Sequence, residues 1–120
     1  MTKAEEFVSN VLVARDAAHL AHWKTTSYAE HKALGEFYEE LLDLIDGFVE
    51  QYQGYYGGRM DIYRGEMDNG AGIEEILTTG MEWIESNRYD ICARAETPLQ
   101  NTIDEIVRLY QTTLYLLTLE

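Results

Sequence analysis

The segment AHWKTTSYAEH, from Ala21 to His31, joins two long stretches of helical periodicity and sets how the first half of the chain folds. Before it, apolar residues recur every three to four positions from about Lys3 to Trp23, and after it they do so from about Tyr28 to Gln53. Within it, Ser27 and Glu30 have the spacing of a capping box, which starts a helix. Because so few residues connect the two predicted helices, A and B, we expect them to be antiparallel neighbours.

The second half of the chain has the same helical periodicity. Helix C is predicted from about Ile73 to Ala95, and helix D from about Pro98 to Leu119. Two further capping-box spacings, Thr2-x-x-Glu5 and Thr97-x-x-Gln100, mark the starts of helices A and D. No stretch shows the sustained alternation of a strand, so the sequence predicts an all-α protein.

The connection between helices B and C, residues 54–72, is long and holds six of the nine glycines. Its middle, Arg59 to Met67, is predicted to form a short helix. Two helical hairpins joined by one long crossover are typical of the ferritin-like four-helix bundle. The expected architecture is therefore a single ferritin-like domain over residues 1–120, with one long B–C crossover containing a short helix.

The composition excludes several classes of protein. Nine basic residues against 22 acidic ones give a net charge of −13, and the basic residues are scattered, so direct binding to DNA is not expected. No apolar run approaches the roughly 18 residues of a membrane span, and the N-terminus lacks a secretory signal. A lone Cys92 forms no disulfide within the chain. These features predict a soluble cytoplasmic protein.

The histidines and carboxylates do not have the spacing of a metal site inside one bundle. Di-iron bundles use Glu-x-x-His pairs, and the chain contains none; Asp16-x-x-His19 is the nearest match. Helix B instead carries His31, Asp46 and Glu50 within roughly 100° of one another, but with about 22 Å along the axis between His31 and Asp46. A metal could join them only if helix B packs antiparallel against a second copy of itself.

Such a two-fold dimer would bring His22 and His31 of one subunit to Asp46 and Glu50 of the other. The short A–B turn is expected to place His22 beside His31. Imidazole and carboxylate ligands together suit Fe(II), with Zn or Mn as possible occupants. A ferritin-like bundle that serves as an acidic structural or interaction protein, without ferroxidase activity, remains the alternative.

The order of these residues resembles that of the Dps-type mini-ferritins. That family carries His-Trp near the end of its first helix, a second His early in the next, and then Asp-x-x-x-Glu; here His22-Trp23, His31 and Asp46-x-x-x-Glu50 stand in that order. The compact chain also resembles ferritin-like proteins of tailed phages. It departs from the family in its shorter turn between the histidines and in lacking the lysine-rich tail that many members use for DNA.

The resemblance implies a function as well as a fold. It implies that His22, His31, Asp46 and Glu50 form a ferroxidase centre across a two-fold axis, with Trp23 beside it. It also implies that Fe(II) is oxidised there, usually with peroxide, and sequestered. A homodimer is the expected minimum unit, with a twelve-subunit shell as the family's assembly, and a phage origin would place the protein in the host cytoplasm.

Overall fold

A computed structural model describes residues 1–68 and 70–119 and contains four helices. They are α1 (Lys3–Lys24), α2 (Tyr28–Tyr56), α3 (Ile73–Ile91) and α4 (Thr97–Leu116), and no strand occurs among the described residues. The all-α prediction is confirmed. The predicted helices A, B and D match α1, α2 and α4 to within about three residues at each end.

The four helices form a bundle in which each has two neighbours. Helix α1 packs against α2 and α3, and α4 packs against the same two, so that α1 and α4 lie diagonally opposite. Aromatic rings hold the pairs together: Phe7 of α1 meets Phe48 of α2 edge-on at 4.9 Å, and Phe37 of α2 meets Tyr110 of α4 at 5.2 Å. All four rings are almost fully buried, which makes them the centre of the hydrophobic core.

The crossover between α2 and α3 lies along α1, and the predicted short helix from Arg59 to Met67 is wrong. Gly57 and Gly58 end α2 in the left-handed region, with φ of 77° and 74°, which favours glycine. Beyond them, side chains of α1 accept the backbone N–H groups that a helix would bond internally. Asp61 N donates to Glu5 Oε2 at 2.7 Å, and Gly65 N donates to Ser9 Oγ at 2.8 Å.

The caps explain where the helices begin and where one prediction fails. The Thr2–Glu5 capping box has both of its hydrogen bonds, whereas at α2 only the Ser27 side chain accepts from Glu30 N. The box predicted at Thr97 and Gln100 is wrong, because Thr97 is already helical and the Gln100 side chain is engaged elsewhere.

Helix C was predicted too long, because α3 ends at Ile91. The next residue, Cys92, is extended, with φ of −152° and ψ of 157°, and the Gln100 side chain of α4 binds its carbonyl. The helix is therefore stopped by a tertiary contact and not by a local signal. Within the described ranges, none of the four helices is both long enough and apolar enough to cross a membrane.

Candidate metal centre

The hydroxyl groups of the connection between α1 and α2 hydrogen-bond within the connection itself. Ser27 N donates to Thr25 Oγ1 at 3.1 Å, and Thr25 Oγ1 donates to Glu30 Oε2 at 3.1 Å. Glu30 N in turn donates to Ser27 Oγ at 3.2 Å, which caps α2. This closed set of bonds brings the last turn of α1, with His22, against the first turn of α2, with His31.

The imidazoles of His22 and His31 stack and exchange hydrogen bonds with each other's backbone. Their ring centroids are 3.7 Å apart and their planes differ by 16°. His22 Nδ1 lies 2.5 Å from the His31 carbonyl oxygen, and His31 Nδ1 lies 2.8 Å from the His22 carbonyl oxygen. Because a carbonyl only accepts, we assign the proton of each ring to Nδ1, which leaves the lone pair of each Nε2 available.

Gly35, one turn after His31 on α2, makes room for this pair. A Cβ at this position would lie 3.0 Å from His22 Cε1 and 3.2 Å from His22 Nδ1, closer than side chains normally approach. Since glycine costs about 1 kcal/mol in a helix relative to alanine, its presence here is explained by the position of the His22 ring. Neither the close approach nor the bond exchange was predicted; a glycine inside the stripe of helix B was the one available signal.

Other aromatic side chains surround the two histidines. His19 stacks on Tyr38 with centroids 4.1 Å apart and lies at the same distance from Trp23. Tyr38 meets His22 edge-on at 5.4 Å. Trp23 is 64% exposed, so this group, which we call the histidine end of the bundle, opens to the surface.

Asp46 and Glu50 are exposed on α2 and lie far from the histidines of the same chain. They follow His31 by 15 and 19 residues of one continuous helix, which corresponds to about 22 and 28 Å. Within the described part of the chain, no group of three or more His, Cys, Asp or Glu side chains is placed to hold a metal ion. The structure thus brings His22 and His31 together and keeps Asp46 and Glu50 apart from them.

The stacked rings also limit how the pair can bind. A metal ion lies in the plane of the imidazole that binds it, along the Nε2 lone pair. Two nearly parallel rings whose centroids are 3.7 Å apart do not direct their Nε2 lone pairs at a common ion beside the rings. In this arrangement each imidazole can bind its own ion, and a shared ion would require one ring to rotate.

The opposite end of the bundle holds a second polar cluster, which we call the closed end: Tyr56, Arg88, Cys92, Glu96 and Gln100. Gln100 Nε2 donates to the carbonyls of Arg88 and Cys92 at 3.0 and 2.9 Å, and Gln100 Oε1 accepts from Arg88 Nε at 2.9 Å. The Tyr56 hydroxyl donates to the Glu96 carboxylate. Burial, with the nearby charge of Glu96, raises the pKa of the Cys92 thiol to about 11, so this cysteine is neutral near pH 7.

Comparison with known proteins gives a family and a phage relative. The model of the family of unknown function DUF5856 matches residues 22–117. An uncharacterized 14.6 kDa protein from the mobD–ri intergenic region of Enterobacteria phage T4 is 34% identical over 119 residues, covering 99% of this chain and 91% of the T4 protein. No solved structure matches.

Proposed function

This chain belongs to the family of unknown function DUF5856, and for this member we propose a Dps-like role: it binds Fe(II), oxidises it at a site between two subunits and sequesters the product. His22 and His31 of one subunit and Asp46 and Glu50 of a second copy supply the ligands. The relative in phage T4 supports a phage origin, and hence the host cytoplasm as the place of action.

The observation that carries this proposal is the exchange of hydrogen bonds between His22 and His31. Metal-binding histidines usually donate one ring N–H to a carbonyl or carboxylate, which fixes the tautomer and directs the other nitrogen at the metal. Both rings have this arrangement, with Nδ1 at 2.5 and 2.8 Å from a carbonyl oxygen. In the described part of the chain, neither Nε2 has a hydrogen-bond partner that would compete with a metal.

The outward face of α2 supports a pairing between two copies. Gly47 and Gly54 lie on this face seven residues apart, and a Cβ at either would meet nothing within 4 Å. Contacts within the chain therefore give no reason for two glycines that weaken the helix by about 1 kcal/mol each. In the proposed register Gly47 lies opposite the first turns of the partner's α2, and close approach of that helix accounts for Gly47, whereas Gly54 lies opposite the α1–α2 connection of the partner.

The charge of the same face implies that the pairing depends on cations. In the proposed dimer, Glu36, Glu39 and Asp43 of the two copies meet near the middle of the α2 helices, and all are exposed in the single chain. Carboxylates brought close together in this way repel one another, and bound cations offset that repulsion. We therefore expect Fe(II) or Zn(II) to strengthen the dimer.

The chemistry requires only that ligands, oxidant and iron meet. Iron is the substrate: two Fe(II) ions give two electrons to one H₂O₂, which takes up two protons and becomes two waters. The neutral imidazoles suit Fe(II), and the carboxylates stabilise the ferric product by charge.

The neighbour order α1–α2–α4–α3, with its long α2–α3 connection, supports a ferritin-like arrangement and leaves a twelve-subunit shell as the larger assembly to test.

The test is Fe(II) oxidation by peroxide, followed by ferric absorbance. His22→Ala with His31→Ala, and separately Asp46→Asn with Glu50→Gln, should each reduce the rate to that of buffer. The matched controls are His19→Phe, which keeps the stack on Tyr38, and Glu74→Gln with Glu85→Gln, which removes two carboxylates from α3. If the variant without both histidines oxidises Fe(II) at the wild-type rate, the site assignment is wrong.

One observation favours a second function, that of an acidic interaction protein without ferroxidase activity. The parallel rings of His22 and His31 are also what a purely structural link between two helices would use. In that case the wild type would itself oxidise Fe(II) no faster than buffer does, and none of the histidine or carboxylate variants would change that rate. Zn(II) would then also leave the apparent mass in light scattering unchanged.

A further inference from the structure

A groove unrelated to the histidines lies between α1, the crossover and α3. It encloses about 470 Å³, and its long walls run from Glu6 to Ala14 on α1 and from Glu75 to Trp83 on α3. Eight residues of helix span about 12 Å, so the groove has the length of four extended residues of a peptide. Its volume is in the range of specific binding sites.

The groove has carboxylates at both ends and an apolar patch towards one of them. Val13, Ala14 and Ile76 form this patch, and Asn10, Thr79 and Gly80 lie between it and Trp83. Because α1 and α3 are antiparallel neighbours, Glu6 and Trp83 share one end, while Glu75 lies towards the other. Glu66 and Asp68 of the crossover add two carboxylates, and no basic side chain is among the described residues that line the groove.

These carboxylates are not used by the protein's own ion pairs, with one instructive exception. The ion pairs among residues 1–68 and 70–119 do not include Glu66, Asp68 or Glu75. At the Trp83 end, however, Lys3 Nζ lies 3.4 Å from Glu6 and 5.7 Å from the centroid of the Trp83 ring. The chain's own ammonium group therefore shows what this end recognises: a lysine held by a carboxylate and an aromatic face.

We infer that this groove docks a basic segment of a partner protein, with two lysine or arginine residues about four positions apart and apolar residues between them. One cation takes the place near Glu6 and Trp83, and the other meets Glu66, Asp68 and Glu75. The apolar residue beside the second cation packs on Val13, Ala14 and Ile76. Charge complementarity favours this occupant, because a −13 protein steers cations towards itself. The inference is independent of the iron site, and either can fail alone.

The test is an NMR titration of the isotope-labelled full chain with a nine-residue probe peptide, Gly-Ser-Lys-Leu-Ser-Leu-Lys-Gly-Ser. The reference peptide has the same composition with its two lysines adjacent. We expect the probe to shift the Trp83 indole and the Gly65 and Gly80 amide signals, and to bind at least tenfold more tightly than the reference. Equal affinity for both peptides would overturn the inference, as would shifts spread over all acidic faces.

Charge-matched variants separate the groove from the general acidity of the protein. Glu66→Gln, Asp68→Asn and Glu75→Gln together should weaken the probe at least tenfold. Glu74→Gln, Glu85→Gln and Glu105→Gln remove the same charge outside the groove and should change the affinity less than twofold. An equal loss in both triple variants would show unspecific attraction and contradict the inference.

Lys3 provides a test in the opposite direction. Lys3→Met frees Glu6 and Trp83 and should tighten the probe two- to threefold, whereas Lys32→Met on α2 removes the same charge and should leave the affinity unchanged. Spermine serves as the competing small polycation. If spermine binds as tightly as the probe and shifts the same signals, the groove is a polyamine site and the docking of a protein segment is wrong.

Discussion

The two ends of the bundle both carry clustered polar side chains, but they use them differently. At the closed end Gln100 bonds to Arg88 and to the Cys92 carbonyl, so side chains and backbone satisfy one another. At the histidine end each imidazole uses Nδ1 and leaves Nε2 without a partner in the described structure. The polar side chains of the closed end are structural, whereas under the proposed function those of the histidine end bind a ligand. The same kind of substitution should therefore have different effects at the two ends.

The largest effect on stability is expected at the closed end. Gln100→Ala removes the buried side chain that bonds to the Cys92 carbonyl and to Arg88 Nε, while Arg88 keeps its bonds to Asp104 and to the Gln100 carbonyl. The substitution should lower the free energy of unfolding by about 2–4 kcal/mol. Urea denaturation measures this. The control is Asn101→Ala at the exposed next residue, which should keep the free energy of unfolding within about 0.5 kcal/mol of the wild type. A similar loss of stability in both variants would show that Gln100 has no special role.

The Cys92 thiol should be almost unreactive in the folded protein. With its pKa raised to about 11, the thiolate fraction at pH 8 is roughly a hundredfold below that of a free cysteine. A thiol-disulfide reagent should therefore react at least that much more slowly with the native protein than with the protein in urea. Equal rates in the two states would contradict the closed description of this end.

The same thiol makes a contribution to the pH dependence of stability. The folded pKa lies above the unfolded value of about 8.5, so the unfolded chain loses this proton first. The contribution to stability is complete below pH 8.5 and falls as the pH rises from there towards 11. Urea midpoints between pH 8 and 10 should show this decline in the wild type, and a smaller decline in Cys92→Ala.

At the histidine end, Gly35→Ala should disturb binding more than stability. The new Cβ would lie 3.0 Å from His22 Cε1 and displace the ring, while the helix gains about 1 kcal/mol of propensity, so the net change in stability should be small. In a His22→Ala background the clash is absent, and Gly35→Ala should then stabilise by about 0.5–1 kcal/mol. Urea denaturation of the four proteins measures the coupling, and additive changes would mean that the ring does not need the glycine.

The smallest effects concern the helix caps. Thr2→Ala and Ser27→Ala each remove a side chain that accepts a backbone N–H and should cost about 1 kcal/mol. Thr97→Ala removes no cap bond and should cost clearly less. Thermal unfolding of the three variants checks this order of stability losses. An equal loss in Thr97→Ala would support the capping box that the sequence predicted there.

The sequence predicted those parts of the fold that local signals determine. The starts of α1 and α2 follow from Thr2 and Ser27, whose hydroxyls cap helices beside them in the chain. The end of α3 and the irregular crossover depend on Gln100, Glu5 and Ser9, which are distant in sequence, and no local pattern reveals them.

The candidate site divides in the same way. The short connection after α1 was enough to predict that His22 and His31 meet. The near-parallel stacking and the exchange of Nδ1 bonds depend on ring orientations and on the space left by Gly35, which no spacing in the sequence contains. The joining of these rings with Asp46 and Glu50 belongs to a contact between two chains and stays a prediction.

Mixing two inactive variants tests that contact most directly. One variant carries His22→Ala with His31→Ala, the other Asp46→Asn with Glu50→Gln, and the two are unfolded together and refolded at equal concentration. In a two-fold dimer, half of the molecules are mixed, and each of these has one intact site, so Fe(II) oxidation should return to about a quarter of the wild-type rate. A mixture that stays as inactive as its parents would contradict a site shared between two subunits.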